Sequence, residues 1–325
     1  MRAPDFWRHD GFLAVALSPL AALWAAGAAL RTRTAHPWRA PVAVVCIGNL
    51  VTGGAGKTPL AIAVARHLSA RGRRPHILSR GYGGRIAGPE RVDPARHDAG
   101  AVGDEPLLLA EAAPTWVAHD RAAAARAATA AGAGVLVLDD GFQNAALVKD
   151  LSVLAIDGGY GFGNGRVMPA GPLREPLRAG LARADAAAIV GVDRVGVAER
   201  LPARLPVFRA RAVPAPGAGD GIAGQAVFAF AGIGRPAKFY DTLAEMGCRI
   251  EGTRDFADHH NFTPEEIADI VDAAARRGAV PVTTEKDAVR LPAEARAMVR
   301  TLPIALEWDD PDALDRLLAP VLAGG

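Results

Sequence analysis

The sequence predicts an α/β fold: a mostly parallel sheet, a second, smaller α/β domain behind it and one apolar helix ahead of it. Three observations carry this. From Pro41 onward, short apolar strands alternate with helical stretches, the pattern of right-handed βαβ units. The run from Pro202 to Gly224, with Pro214, Pro216 and many glycines, reads as a connector between two such series. No charged residue occurs from Gly11 to Leu30, and a helix of that length measures about 30 Å, close to the hydrocarbon thickness of a bilayer.

The N-terminal stretch comes first. Arg2 and Arg8 precede it, Arg31, Arg33 and Arg39 follow it, and Trp7, Trp24 and Trp38 lie near its ends. Basic and aromatic flanks of this kind anchor a helix at a membrane interface. The stretch is mostly alanine and Pro19 interrupts it, which favours a helix embedded in one leaflet over a full span. Ala26-Gly27-Ala28 resembles a signal-peptidase site, but export would strand the nucleotide site described below outside the cytoplasm, so cleavage is rejected.

In the first series, strands are predicted at 42–47, 75–79, 115–117, 135–138, 152–156 and 186–190, and helices at 60–71, 104–112, 120–131 and 177–182. The second series has strands at 227–231, 249–255, 280–284 and 304–307, with helices at 236–246 and 264–277. The predicted domains are therefore 1–40, the membrane-associated helix and its basic flank; 41–213, the larger sheet; and 214–325, the smaller domain. Half of the 325 residues are hydrophobic and 22% are charged, a globular composition. A net charge of +2 argues against a nucleic-acid binder working through bulk electrostatics. Cys46 and Cys248 fall in predicted strands and read as buried thiols rather than as a disulfide or metal site. There is no fixed-period repeat, and nothing identifies a protein partner.

The chemistry begins at Val44–Pro59. An apolar β-branched run enters the turn Val51-Thr52-Gly53-Gly54-Ala55-Gly56, and Lys57-Thr58 opens a helix. This is the layout of a phosphate-binding loop, and it makes the larger sheet one of P-loop NTPase type. Backbone N–H groups of the glycines converge on phosphate oxygens, Lys57 reaches the β/γ-phosphates and Thr58 offers a hydroxyl to Mg²⁺. ATP and Mg²⁺ are the implied cofactors. The strict pattern has glycine where this chain has Val51; Gly53, Gly54 and Gly56 still form the nest.

Asp139 and Asp140 end a buried strand at the edge where ligands bind in such sheets, the position of a Mg²⁺-holding acid; a helix N-cap pair is the alternative. Arg80 leaves another strand in Ser79-Arg80-Gly81-Tyr82-Gly83-Gly84, either as a phosphate clamp or as a surface arginine. Asp104 opens a helix after Gly103, and spacing alone favours a capping role. Arg174 and Glu175 lie between prolines in Pro169–Pro176, a positioned anion contact or a plain turn. Asp258-His259-His260 precedes a helix start; the adjacent histidines with no third ligand argue for acid–base use over zinc, and a solvated loop is the bland reading. Lys286 ends another strand where it can meet an anion. Gly232-Ile233-Gly234-Arg235-Pro236-Ala237 matches the loose dinucleotide pattern, with Glu251 downstream, and reads better as a tight βα turn.

Taken in order, Gly48–Pro59, Leu78–Gly83, Gly103-Asp104-Glu105-Pro106, Leu138-Asp139-Asp140-Gly141-Phe142-Gln143, Pro169–Pro176, Gly232–Gly234, Asp258–His260 and Thr284-Glu285-Lys286-Asp287 resemble the tetraacyldisaccharide 4′-kinase family, which phosphorylates the lipid A precursor. The likeness covers nearly the whole chain, and a residue other than glycine at Val51 is usual in the family. Asn144-Ala145 departs from it, since histidine often follows the glutamine. The resemblance implies transfer of the γ-phosphoryl group of ATP to the 4′-hydroxyl of a tetraacylated disaccharide 1-phosphate lipid. It implies work at the cytoplasmic face of the bacterial inner membrane, anchored by the N-terminal helix. It also implies that Asp104 accepts the hydroxyl proton, with His259 orienting it or raising its basicity, and that Arg80, Gln143, Arg174, Glu175 and Lys286 meet substrate or phosphate.

Three rivals are weaker. A partitioning-type ATPase switch carries a lysine where this chain has Thr52, a GTPase needs an Asn-Lys-x-Asp that is absent, and a lipid-binding module has no use for Lys57, Thr58 and paired acids.

Overall fold

The computed structural model describes residues 4–323. The strands in chain order are β1 (Ala43–Gly48), β2 (Pro75–Ser79), β3 (Glu90–Arg91), β4 (Thr115–Val117), β5 (Val135–Leu138), β6 (Leu151–Asp157), β7 (Ala186–Val190), β8 (Val207–Pro214), β9 (Ala226–Ala231), β10 (Arg249–Asp255), β11 (Val280–Thr284), β12 (Arg300–Leu302) and β13 (Ile304–Trp308). Nine of them form one sheet in the order β13-β8-β7-β6-β1-β5-β2-β4-β3, and four form a second in the order β10-β9-β11-β12.

In the larger sheet every pairing from β8 to β4 is parallel, and only the edge strands β13 and β3 run antiparallel. β1 lies between β5 and β6, and helices cover its side chains on both faces of the sheet. Val44 and Cys46 point to one helical layer, Val45 and Ile47 to the other, as the two-residue period of a strand requires. Their covering helices, in chain order, are α1 (Lys57–Ala70), α2 (Asp104–Ala110), α3 (Arg121–Ala130) and α4 (Leu177–Ala182). Leu60, Val64 and Leu68 of α1 pack on one face, Ala124, Ala125 and Ala128 of α3 on the other. Alanine in α3 lets that helix approach the sheet closely.

The smaller sheet is parallel throughout and also covered on both faces. Phe239 and Leu243 of α5 (Pro236–Glu245) pack against Val227, Ala229 and Ala231; Ile267 and Ile270 of α6 (Pro264–Ala275) pack against Phe228 and Phe230. Thr263 and Glu266 form a reciprocal capping box at the start of α6, with Pro264 in its first turn. A short helix, α7 (Glu285–Ala288), follows β11 directly.

Two expectations change. The predicted connector contains β8, a strand between β13 and β7 whose alternating Arg209 and Arg211 hid its apolar residues. The strand near 304–307, grouped by sequence with the smaller domain, pairs antiparallel with β8 instead. The helix after it, α8 (Ala313–Leu322), returns Leu317, Leu318 and Val321 to the core under β1. The chain thus leaves the larger sheet after β8, builds the smaller one and comes back. Cys46 and Cys248 are free and buried, and burial pushes the Cys46 thiol up to about 11.

Ahead of β1 the N-terminal stretch forms two helices, Phe12–Ala16 and Ser18–Thr34, separated at Leu17. Pro19 falls in the first turn of the second, where a missing N–H costs nothing. Phe12 is 85% exposed and Leu23 71%, with Leu13, Val15, Leu20, Trp24 and Leu30 also open. Among the described residues no helix is long and apolar enough to cross a membrane. Arg166 binds Asp10 and Ser18, and Trp24 Nε1 donates to the Arg174 carbonyl at 3.2 Å, so the stretch rests on the larger domain. The flanking Arg2 lies outside the described residues.

Candidate active site

β1 ends at Gly48, where no side chain fits: a Cβ would lie 2.5 Å from Phe142 Cβ. Gly53 and Gly56 then take positive φ, +113° and +81°, and Gly56 caps α1. Val51 is buried and bridges to Leu173, Thr52 N donates to the Pro172 carbonyl at 2.9 Å, and Arg174 N donates to the Leu50 carbonyl at 2.8 Å. The position where the strict motif has glycine therefore serves to pair the loop with the Pro169–Pro176 turn. Ala55 is buried; Lys57 and Thr58, half-buried, are the first two residues of α1.

Asp139 and Asp140 leave β5 beside this loop. Asp139 is 2% exposed, and its Oδ1 is buried with no hydrogen-bond partner. Burial, reinforced by the Glu105 and Asp140 charges, pushes its carboxyl up to about 7. Asp140 adopts φ +50° and meets two cations. Arg174 holds it bidentately at 2.8 and 3.1 Å, and Lys57 Nζ lies 3.6 Å away. Burial alone would raise Asp140; these two cations outweigh it and hold the carboxyl below its ordinary value. An orphaned buried carboxylate oxygen, a second acid and the Thr58 hydroxyl fit Mg²⁺, which takes one or two carboxylates and completes its shell with phosphates and water.

Behind Arg174, Gln143 bridges the Asn49 carbonyl at 2.9 Å and Glu175 at 3.0 Å. Glu175 is itself buried and paired with Arg183 at 2.8 Å. Gln143 and Glu175, expected at the substrate, thus form the support on which Arg174 rests. Asn144 turns its side chain back to the Ala146 N–H at 2.9 Å.

The second cluster joins the two domains. Gly103, at φ +90°, leaves only 2.6 Å between a Cβ and the Tyr82 carbonyl, and it sets Asp104 in the first turn of α2. Asp104 Oδ1 accepts from the N–H of Glu105 at 3.0 Å, a local bond of the capping kind. Its Oδ2 meets His259 Nδ1 at 3.0 Å. Lys286 Nζ stands 3.3 Å from His259 Nε2, so a ring protonated on Nδ1 satisfies both contacts. Arg290 Nε and Lys286 Nζ lie 3.6 and 3.9 Å from Asp104. Burial would raise Asp104, but the His259 hydrogen bond with Lys286 and Arg290 takes it below its ordinary value. The His259 hydrogen bond thus fixes one oxygen of the Asp104 carboxylate and, with the two cations, works against the effect of burial.

His259 is fixed in turn. Its backbone adopts φ +61° and donates to the Gly232 carbonyl at 3.2 Å, while Asp287, fully buried, accepts from Gly232 N at 3.0 Å and pairs with Arg290. The glycine turn with the dinucleotide pattern is thus a brace for His259. His260 bonds Glu266 at 2.9 Å and stacks on Phe256, and among the described residues no group of three or more His, Cys, Asp or Glu could hold a metal. Lys286, expected to meet an anion from substrate, is ringed by Asp104, Glu105 and Asp258. Arg80 is exposed at the end of β2. Sequence reasoning passed over Glu105 and Arg290. Adjacency to Asp104 marks the first; the second lies four residues, one helical turn, after Lys286.

The sequence profile of the family described as tetraacyldisaccharide-1-P 4′-kinase matches residues 13–323. The chain belongs to the tetraacyldisaccharide 4′-kinase family. A tetraacyldisaccharide 4′-kinase of Rhodospirillum centenum is 56% identical over all of this chain and 98% of its own, and one of Paramagnetospirillum magneticum is 51% identical over 98% of each. The crystal structure of the "apo" form of LpxK from Aquifex aeolicus in complex with ATP resembles this fold with a TM-score of 0.76. It is 26% identical and covers 96% of this chain and 100% of its own. Membership of the 4′-kinase family makes the protein a phosphotransferase with an alcohol acceptor.

Proposed function

We propose that the protein transfers the γ-phosphoryl group of ATP to the 4′-hydroxyl of tetraacyldisaccharide 1-phosphate, forming lipid IVA in lipid A biosynthesis, and that its two clusters divide this work. The observation that carries the reading is the Asp104–His259 contact across the two domains, next to a phosphate-binding loop. Residues 51–58 cradle the ATP phosphates through backbone N–H groups, with Lys57 at the β- and γ-oxygens. Thr58, Asp139 and Asp140 would hold Mg²⁺, which supplies charge neutralisation on those oxygens. Asp104, oriented by His259, takes the proton of the attacking hydroxyl. The hydroxyl oxygen bonds to the γ-phosphorus as the bond to the β,γ-bridging oxygen breaks, and ADP leaves. Phosphoryl transfer asks for little covalent help, so positioning and charge dominate the rate. Arg174, bidentate on Asp140 beside Lys57, adds positive charge at the nucleotide loop, and Arg80, exposed at the end of β2, is placed to meet phosphate. Because Asp104 and His259 come from separate domains, closure between them gates the reaction.

The exposed Phe12, Leu20, Leu23 and Trp24 suit an interfacial helix at the cytoplasmic face of the inner membrane, near the acyl chains of the acceptor. The test is transfer from γ-labelled ATP with Mg²⁺, detergent and acceptor, against a reaction without acceptor. Label in the lipid fraction is the expected result; free phosphate with no labelled lipid would leave an ATPase in its place.

A further inference from the structure

Between the segment ahead of the first helix, the turn after β6 and the start of α5 lies a cavity of about 380 Å³. Arg8, His9, Tyr160, Arg200 and Arg235 line it, from four separate stretches of chain, and no carboxylate does. Arg235 pairs with the buried Asp157 at 2.9 Å and lies over the Tyr160 ring. Arg8 and Arg200 have no ion-pair partner among the described residues, and Arg200 lies only against the Phe162 ring. The Tyr160 hydroxyl is buried with no hydrogen-bond partner. Three guanidinium groups and an imidazole around one cavity, offset by a single carboxylate, produce a field that favours an anion, and the guanidinium fork matches phosphate best. None of residues 49–58 lines the cavity, so it is separate from the nucleotide loop.

The wall of the cavity is nonetheless packed against the turn that carries Arg174. Gly163, in its wall, packs so closely on Pro172 that a Cβ would lie 2.7 Å from Pro172 Cγ, and two residues further Arg174 holds Asp140. Trp7, beside Arg8, donates to the Pro169 carbonyl of the same turn at 3.1 Å. The acceptor named for this family carries a phosphate at position 1, on the far side of the disaccharide from the 4′-hydroxyl.

We propose that this cavity binds a phosphate monoester and that, granted the kinase reading above, its occupant is the 1-phosphate of the acceptor. The test uses the full chain with Arg8→Gln and Arg200→Gln, and acceptors with and without the 1-phosphate. Wild type should prefer the phosphorylated acceptor by tenfold or more in kcat/KM, through KM. Each variant should reduce that preference at least tenfold. A wild-type preference near one, a preference that survives in both variants, or a change in KM for ATP alone would overturn the proposal. Calorimetric titration with glucosamine 1-phosphate, and separately with inorganic phosphate, reads the cavity without any transfer. Sugar phosphate bound by wild type and lost in both variants upholds the site even in a chain that phosphorylates nothing, which isolates a failure of the kinase reading. Equal binding in wild type and variants overturns the site, and inorganic phosphate bound as tightly as the sugar phosphate overturns the acceptor as its occupant.

Discussion

Replacing Asp104 by Asn separates catalysis from structure at the centre of the site. The side chain keeps its size and its one oxygen can still accept from the Glu105 N–H or from His259, but it loses the charge and the capacity to take a proton. The cations around it are not abandoned: Lys286 retains Glu105 at 3.5 Å and Asp258 at 3.7 Å, and Arg290 retains Asp287. The loss of stability at neutral pH should therefore stay within about 1–3 kcal/mol, the range for weakening a charged hydrogen bond. Loss of general-base assistance costs about 10²–10⁴ in rate. Single-turnover transfer of label from ATP to the lipid acceptor reads the chemical step, and the melting temperature reads the fold. A transfer rate within threefold of wild type would return Asp104 to a capping role. The same carboxyl makes a pH prediction. Its folded pKa lies below 3.8, so the stability it contributes is complete above the ordinary carboxylate range and is lost as pH falls through the folded value. The acid arm of the unfolding curve should consequently be shallower in Asp104→Asn than in wild type.

Lys57→Ala removes the cation that faces Asp140 and the β/γ-phosphates; it should abolish transfer while leaving the circular dichroism spectrum unchanged, and retained activity would remove the nucleotide assignment. Gly48→Ala puts a methyl group 2.5 Å from Phe142 Cβ and should destabilise the fold by about 1–3 kcal/mol through overpacking, read as a lower denaturant midpoint; an unchanged midpoint would mean the β1 exit is looser than described. Phe12→Glu with Leu23→Glu should reduce sedimentation with anionic vesicles at least tenfold without affecting ATP binding, and undiminished sedimentation would place membrane attachment elsewhere.

The parallel core was legible because its strands are continuous apolar runs bounded by glycine and acid, and the loop from Val51 to Thr58 announces itself by spacing alone. β8 was not, since a strand with exposed arginines at alternate positions lacks the apolar run that marks β1 or β6. Nor was the return of β13 and α8 to the larger sheet, because pairing between residues ninety positions apart leaves no local trace. At the site, types and order of residues singled out Lys57, Asp139 and Asp140 as candidates, while Asp104 and His259 received their roles through the family resemblance. What sequence left open was which groups face each other: that Arg174 grips Asp140, that Glu175 lies behind it, and that Lys286 answers to three acids. Asp104 satisfies the local signal for a helix start and also meets His259, a contact that spacing alone does not show. The Gly232 turn shows the reverse, a motif-like pattern whose role is to brace a neighbouring loop.

The most direct measurement compares label transfer from ATP to the tetraacyldisaccharide 1-phosphate acceptor with transfer to the same acceptor bearing hydrogen in place of the 4′-hydroxyl. Label entering the lipid only when that hydroxyl is present is the predicted result; label entering both equally, or neither, would contradict the assignment.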